Sequence, residues 1–405
     1  MSRWLVMLAA TLMMATPASA QGLLDNGLPT ETPEVARYYV GPFTISPTLV
    51  IRELGIDTNV FDDHENPKRD YVLSLSPTVD IFGKLGLLQA ALTSSTDFTW
   101  YAKYASERSL GRVVRGRVDF LPSRLRLSVG GGLVQTRERP NMEIELRARR
   151  NQNEAWGGVG FEISPIARVY TTLHQTTLDF QDNEVYRGIV LSDVLDRRTN
   201  VIEAGLAVSV TPFTTLLVSG RRTEDRFVAD SRRDSDSQSA KTEFSFARDA
   251  IIQGHVNLGY RDFHPVDPTM SRFRGVTSGA GLSFTGFWRG HMDFDASRDV
   301  SYSYDVAEGY YVGTTMVGTY TQRVIGAVDV LTQLGLGKMD YGRRDGLDDR
   351  VDNLRTMAGG VGYNFDNGGR FGLTYEYEVR ESDSFADRRY ASRRLFGSYT
   401  HTLER

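Results

Sequence analysis

From Arg370 to Arg380 the chain reads RFGLTYEYEVR, in which Phe371, Leu373, Tyr375, Tyr377 and Val379 alternate with Gly372, Thr374, Glu376, Glu378 and Arg380. Successive side chains of a strand project to opposite faces, so this stretch is a strand with one apolar and one charged face. The pattern recurs. Tyr71, Leu73, Leu75, Val79 and Ile81 oppose Ser74, Ser76, Thr78 and Asp80, and Leu125, Leu127 and Val129 oppose Arg124, Arg126 and Ser128. Ile252, Val256, Leu258 and Tyr260 oppose Gln253, His255, Asn257 and Arg261. Trp288, Gly290, Met292, Phe294 and Ala296 oppose Arg289, His291, Asp293, Asp295 and Ser297. Two stretches, Ser46 to Phe61 and Thr214 to Thr223, carry apolar residues in both registers. A chain of such strands needs a non-aqueous partner on one face, which leaves a soluble β-sandwich or a membrane β-barrel.

The connections separate the two. Compact breaks recur at Phe82-Gly83-Lys84, Leu121-Pro122-Ser123, Ser164-Pro165, Thr211-Pro212, Arg248-Asp249, Thr285-Gly286, Arg323-Val324 and Asp366-Asn367-Gly368. Between them lie longer polar stretches, 62–70, 105–110, 137–153, 181–200, 225–240, 264–271, 299–309, 342–353 and 381–389. Strict alternation of short and long connections is the pattern of an up-and-down outer-membrane barrel, with short periplasmic turns and longer external loops. Nine long loops against eight short turns predict a single all-β domain, a transmembrane antiparallel up-and-down β-barrel of about 18 strands. Arg on the lipid face at mid-bilayer would cost about 2–4 kcal/mol, so the charged face of each strand is assigned to the lumen.

Composition supports that choice. Only 40% of residues are hydrophobic, while Gly (39), Phe (20) and Tyr (19) are plentiful, as suits a barrel that turns alternate residues into a polar lumen. Residues 1–20 read as a secretory signal: Arg3, the apolar run Leu5 to Ala15, then Ala18-Ser19-Ala20 before Gln21. Residues 21–44 read as a polar periplasmic arm with Pro29 and Pro33, and 45–405 as the barrel. No other stretch reaches the ~18 consecutive apolar residues of a membrane-spanning helix. Removing the signal leaves 46 basic against 51 acidic residues, a charge that gives no reason to expect nucleic acid as a partner. With no Cys in the chain, neither disulfides nor a lipid anchor on Cys enters the picture.

The candidate chemistry is that of a wall, not of an active site. Arg115, Arg117, Asp119, Arg124, Arg126, Arg261, Arg289, His291, Asp293, Asp295, Glu376, Glu378 and Arg380 form the predicted lumen lining. Such mixed charge can pair across neighbouring strands and stiffen the barrel, or line a conduit for a hydrated solute, and the two roles are compatible. No enzyme constellation stands out: none of the six His is followed two residues later by Ser, as a lipid-facing His and Ser pair would require. His174 and His291 fall in the lumen register as hydrogen-bonded or solvated imidazoles. The acidic set Asp345, Asp348, Asp349 and Asp352 lacks EF-hand spacing and is read as a solvated loop, with no metal or cofactor assigned. Asp230 to Lys241 is read as a mobile external loop.

Some of these residues also resemble a known family. Gly41-Pro42-Phe43, Ser46-Pro47-Thr48-Leu49 and Asp57-Thr58-Asn59-Val60-Phe61, with Gly259-Tyr260-Arg261-Asp262-Phe263 in mid-chain, are similar to the putative β-barrel porin 2 family. Many outer-membrane barrels end in an aromatic residue, whereas here Leu395, Gly397, Tyr399, His401 and Leu403 run on to Glu404 and Arg405. The resemblance implies a barrel in the outer membrane of a Gram-negative bacterium, in contact with its lipid and passing a polysaccharide outward, with periplasmic export machinery as a partner. Two alternatives stand beside it: a porin for small solutes, and a non-transporting surface barrel that binds a partner through its loops.

Overall fold

The computed structural model of the chain describes residues 38–402 apart from 248–249, 287–289, 342–349, 367 and 384. The predicted signal, most of the arm, and Glu404 and Arg405 lie outside the described residues. A short strand, β1 (Tyr38–Val40), folds back on β2 (Phe43–Asp57) through Gly41, whose φ of 59° is left-handed. From β2 the barrel proceeds through β3 (Asp70–Leu85), β4 (Leu88–Tyr101), β5 (Ser109–Phe120), β6 (Leu125–Glu138), β7 (Ala148–Ser164) and β8 (Ala167–Phe180). A two-residue pair, β9 (Val185–Tyr186) and β10 (Ile189–Val190), and one helical turn, α1 (Leu191–Leu195), occupy the next connection. The wall resumes with β11 (Arg197–Thr211), β12 (Thr214–Phe227), β13 (Ser235–Phe246), β14 (Ile252–Pro265), β15 (Phe273–Thr285) and β16 (Gly290–Tyr302). It ends with β17 (Tyr310–Ile325), β18 (Val328–Tyr341), β19 (Val351–Asn364), β20 (Gly369–Ser382) and β21 (Tyr390–Thr402). Each long strand pairs antiparallel with the next, and β21 pairs with β2, so eighteen strands close on themselves and no edge is left open.

Connections alternate as predicted, eight short and nine long. Two of the eight expected turns are displaced, because β3 and β17 run a few residues further, to turns that open on left-handed Gly86 and Gly326. The expected loops 137–153 and 225–240 shrink most, to 139–147 and 228–234, and 181–200 and 299–309 shrink to 181–196 and 303–309. The ends of β6, β7, β12 and β13 are polar on both faces, because they stand clear of the lipid, and alternation fails there as a signal. Asp230 to Lys241 is therefore not one loop: β13 begins at Ser235.

The outer face is an apolar band. Across β18 to β21 its rows read Val328, Tyr363, Phe371, Tyr399; then Val330, Val361, Leu373, Gly397; then Thr332, Gly359, Tyr375, Leu395. Nearer the long loops come Leu334, Met357, Tyr377, Arg393 and then Leu336, Arg355, Val379, Ala391. The inner positions of β18 alternate with these and are buried without exception.

The two irregular stretches have physical causes. In β2 the pairing with β3 slips by one residue between Ile51 and Glu53, a β-bulge at Arg52. Ile51 pairs with Leu75 and Leu54 with Leu73 on the outside, so Arg52 and Glu53 both lie inside, where they meet Asp97 and Ser74. In β12, Leu216 and Val218 face out while Leu217 packs inward with Tyr170 and Ala207. The inner cores are small, and the largest lies at the long-loop end.

Candidate functional site

The connection 139–147 folds into the barrel and fastens to the opposite wall. Asn141 starts its turn, the side-chain oxygen accepting the backbone N–H groups of Glu143 and Ile144 at 2.9 and 3.1 Å. Met142 then packs with Tyr311, Met339 and Tyr341, from β17 and β18, about halfway round the barrel from β6 and β7. A Cβ at Gly337 would stand 3.0 Å from the Met142 sulfur, so the wall is hollowed where the loop lands. Arg380, on the inner face of β20 and fully buried, donates to the Met142 and Glu143 carbonyls at 3.2 and 3.1 Å. Its remaining partners are the carboxylates of Glu145 and, at 2.7 Å, Asp352. One guanidinium thus ties the loop backbone, a loop carboxylate and a wall carboxylate together. Glu143 accepts the Ser303 hydroxyl at 2.7 Å and the Tyr304 N–H at 3.0 Å, and burial pushes its carboxyl up.

An apolar stopper caps this polar layer. Ile144, Ala148, Phe180, Tyr186, Leu191, Val194, Leu195 and Tyr304 form one buried cluster drawn from three connections and the strand ends beside them. Tyr186 meets Tyr304 edge-on at 4.7 Å between centroids. The tip of the β9–β10 turn, left-handed Arg187 and Gly188, pairs with Asp387 of the last connection, and Arg388 bonds to Tyr304. Below the stopper a second cluster holds Arg394 at 3.2 Å from Glu376 and 3.6 Å from Glu378, with Tyr390 donating to Glu378 at 2.9 Å.

Arg115, Arg117, Asp119, Arg126, Arg261, His291, Asp293, Asp295, Glu376, Glu378 and Arg380 all lie on the inner face. Most are engaged: Arg115 with Glu154 at 3.1 Å, Arg117 with Asp119 at 2.8 Å, Arg126 with Glu162 at 3.2 Å, Arg261 with Asp299 at 2.8 Å and His291 with Asp293 at 3.1 Å. Asp295 is exposed to the lumen. Arg124 is a correction: left-handed Ser123 ends the turn before β6 begins, so Arg124 sits exposed at the barrel end, one residue short of the wall. Arg289 lies outside the described residues, as do Trp288, Asp345, Asp348 and Asp349. Asp352 is no solvated loop carboxylate: it is fully buried between Arg350, Arg380 and Ser382.

The sequence reading missed Glu143, Glu145 and Met142. Met142, Ile144 and Leu146 alternate with Glu143 and Glu145, the same two-residue period, inside a stretch read as solvated loop. On the short-turn side of the place where the loop lands, an accessible strip remains. In this half of β14 to β17 many inner positions are short or hydroxylated, with Gly279, Gly281, Ser283, Ser297, Thr315 and Thr319 among His255, Asn257, Asp293 and Asp295, and these are half-buried or open.

A closed 18-strand barrel with an apolar belt, a polar interior and loops folded into the lumen belongs to the class of outer-membrane channels. The chain is a member of the putative β-barrel porin 2 family, whose sequence model matches residues 34–399. It is a porin-like barrel of the outer membrane of a Gram-negative bacterium, and its family is one of channels, not enzymes. Among solved structures it is similar to OccK2 (OpdF) of Pseudomonas aeruginosa, with 13% identity, 89% of this chain and 98% of that one covered, and a TM-score of 0.50. The outer membrane protein OpdK of Pseudomonas aeruginosa matches at 12% identity, over 89% of this chain and 99% of that one, with a TM-score of 0.48. A BenF-like porin of Pseudomonas fluorescens Pf-5 matches at 11% identity, over 90% and 100%, with a TM-score of 0.49. No curated protein matches the chain.

Proposed function

We propose that this barrel is an export channel through which a secreted polysaccharide, delivered by periplasmic machinery, passes to the cell surface without covalent chemistry. The supporting observation is the accessible strip on β14 to β17, whose short hydroxylated side chains lie on the short-turn side of the place where loop 139–147 lands on β17 and β18. Hydroxyls and carboxylates that exchange hydrogen bonds with a sliding polyol hold it weakly at many points, as conduction requires. In this reading Asp293, Asp295, His291 and Arg261 face the passing chain. Arg115, Arg117, Asp119, Arg126, Glu376, Glu378 and Arg380 act as struts in ion pairs. The stopper at the long-loop end suits a dedicated exporter that stays shut until polymer arrives. Deleting the gene in a polymer-secreting host tests this: polymer should be made but retained, and unchanged surface polymer would sink the idea.

A second reading, a channel for small solutes, is favoured by the firm seating of loop 139–147, which narrows the path. Planar-bilayer recording separates the two. The exporter is expected to be nearly silent, whereas steady ion conductance together with sugar uptake into liposomes would select the small-solute channel.

A further inference from the structure

The lipid-facing wall has a hollow that the channel function does not use. On the outer face of β19 to β21, Met357, Tyr375, Tyr377 and Arg393 surround Gly359. A Cβ built on Gly359 would meet nothing within 4 Å, so the wall dips where its neighbours project. Arg393 stands one row below Arg355, and the next row toward the long loops holds Lys338, Asn353 and Glu381, so this is the level where the apolar band gives way to polar residues. Arg355 pairs with Glu381 at 3.3 Å. Arg393 has no carboxylate partner among the described residues and lies over the Tyr377 ring, 5.9 Å from its centroid. An exposed arginine at the rim of an apolar band costs only about 0–1 kcal/mol there and is well placed to meet an anion of the headgroup layer.

We propose that this hollow binds one phosphorylated glycolipid of the outer leaflet, with an acyl chain lying over Gly359 and a phosphate held by Arg393 and Arg355. The long loops mark the external side, and the external leaflet of this membrane presents phosphate groups at that depth. A guanidinium offers such a phosphate paired donors, and the tyrosines flank the chain below it. A second copy of the barrel is the other conceivable occupant. A two-fold contact there would bring Arg393 towards its own image with no acid to answer it.

Native mass spectrometry of the full barrel in detergent with added diphosphorylated lipid A tests the assignment. The wild type should retain one lipid per barrel, and lipid A stripped of its phosphates should bind about tenfold less. Arg393→Gln, an exposed position that leaves folding alone, should lose about tenfold in occupancy. Gly359→Leu should expel the chain. Arg112→Gln, an exposed outward position on β5, should change nothing. Equal occupancy in the wild type, Arg393→Gln and Gly359→Leu would overturn the proposal. So would a change from dimer to monomer in Gly359→Leu, which would make the hollow a contact between barrels.

Discussion

At the scale of single residues, Arg380 holds the interior together. It is fully buried and ties two loop carbonyls and two carboxylates across the lumen. Removing one partner of a buried ion pair leaves the other charge uncompensated, at a cost of about 3–5 kcal/mol. Arg380→Gln is therefore expected to free loop 139–147 while the wall stays closed. Single-channel recording should show a several-fold rise in conductance with unchanged barrel migration on unheated gels. Pairing it with Glu145→Gln should recover part of the closed state. Asp196, at the end of the β8–β11 connection, accepts the Phe180 N–H at 2.6 Å, and burial raises its carboxyl to about 6 from the usual 3.8. The folded form thus holds its proton more tightly than the unfolded form. The stability this gives is complete below pH 4 and lost as pH rises through about 6. Hydrogen exchange across residues 181–196 should accelerate over that window, and Asp196→Asn should flatten the profile.

At the scale of elements, the face of each strand was largely legible and its ends were not. RFGLTYEYEVR occupies β20 as its alternation requires, because lipid on one side and a packed lumen on the other penalise any slip of register. Leu373→Arg should cost about 2–4 kcal/mol and depress assembly, whereas Glu376→Gln, which leaves Arg394 its Glu378 partner, should assemble normally. Equal loss of assembled barrel from both would reverse the faces. The ends of β7 and β13 were illegible because water bathes both of their faces above the bilayer, so no pattern of burial is imposed. The bulge in β2 escaped for another reason. One extra residue inverts the apparent alternation, and sequence alone does not distinguish that from a strand buried on both sides. Deleting Arg52 should then be tolerated, since Glu53 would follow Ile51 in proper alternation, whereas deleting Ile51 would move Arg52 into the lipid-facing place opposite Leu75, at a cost of about 2–4 kcal/mol. Heat-modifiable gel mobility would distinguish the two.

At the scale of the whole molecule, the wall follows from local rules, whereas the filling of the lumen depends on residues far apart in sequence. The candidate lining was placed on the inner face by strand parity alone, but its ion-pair partners lie on loops and distant strands that no periodicity announces. Arg187 reaches Asp387 across 200 residues, and Arg380 reaches Glu145 across 235. Closure of the wall joins residues 48–57 to 394–402 and so waits for the last strand. Contacts of such separation form late, because loop-closure entropy must be overcome first. The stopper can seat only on a wall that is already closed. Between those two events the molecule is an unplugged hole, and the harm it does its own cell is measured in the lifetime of that interval.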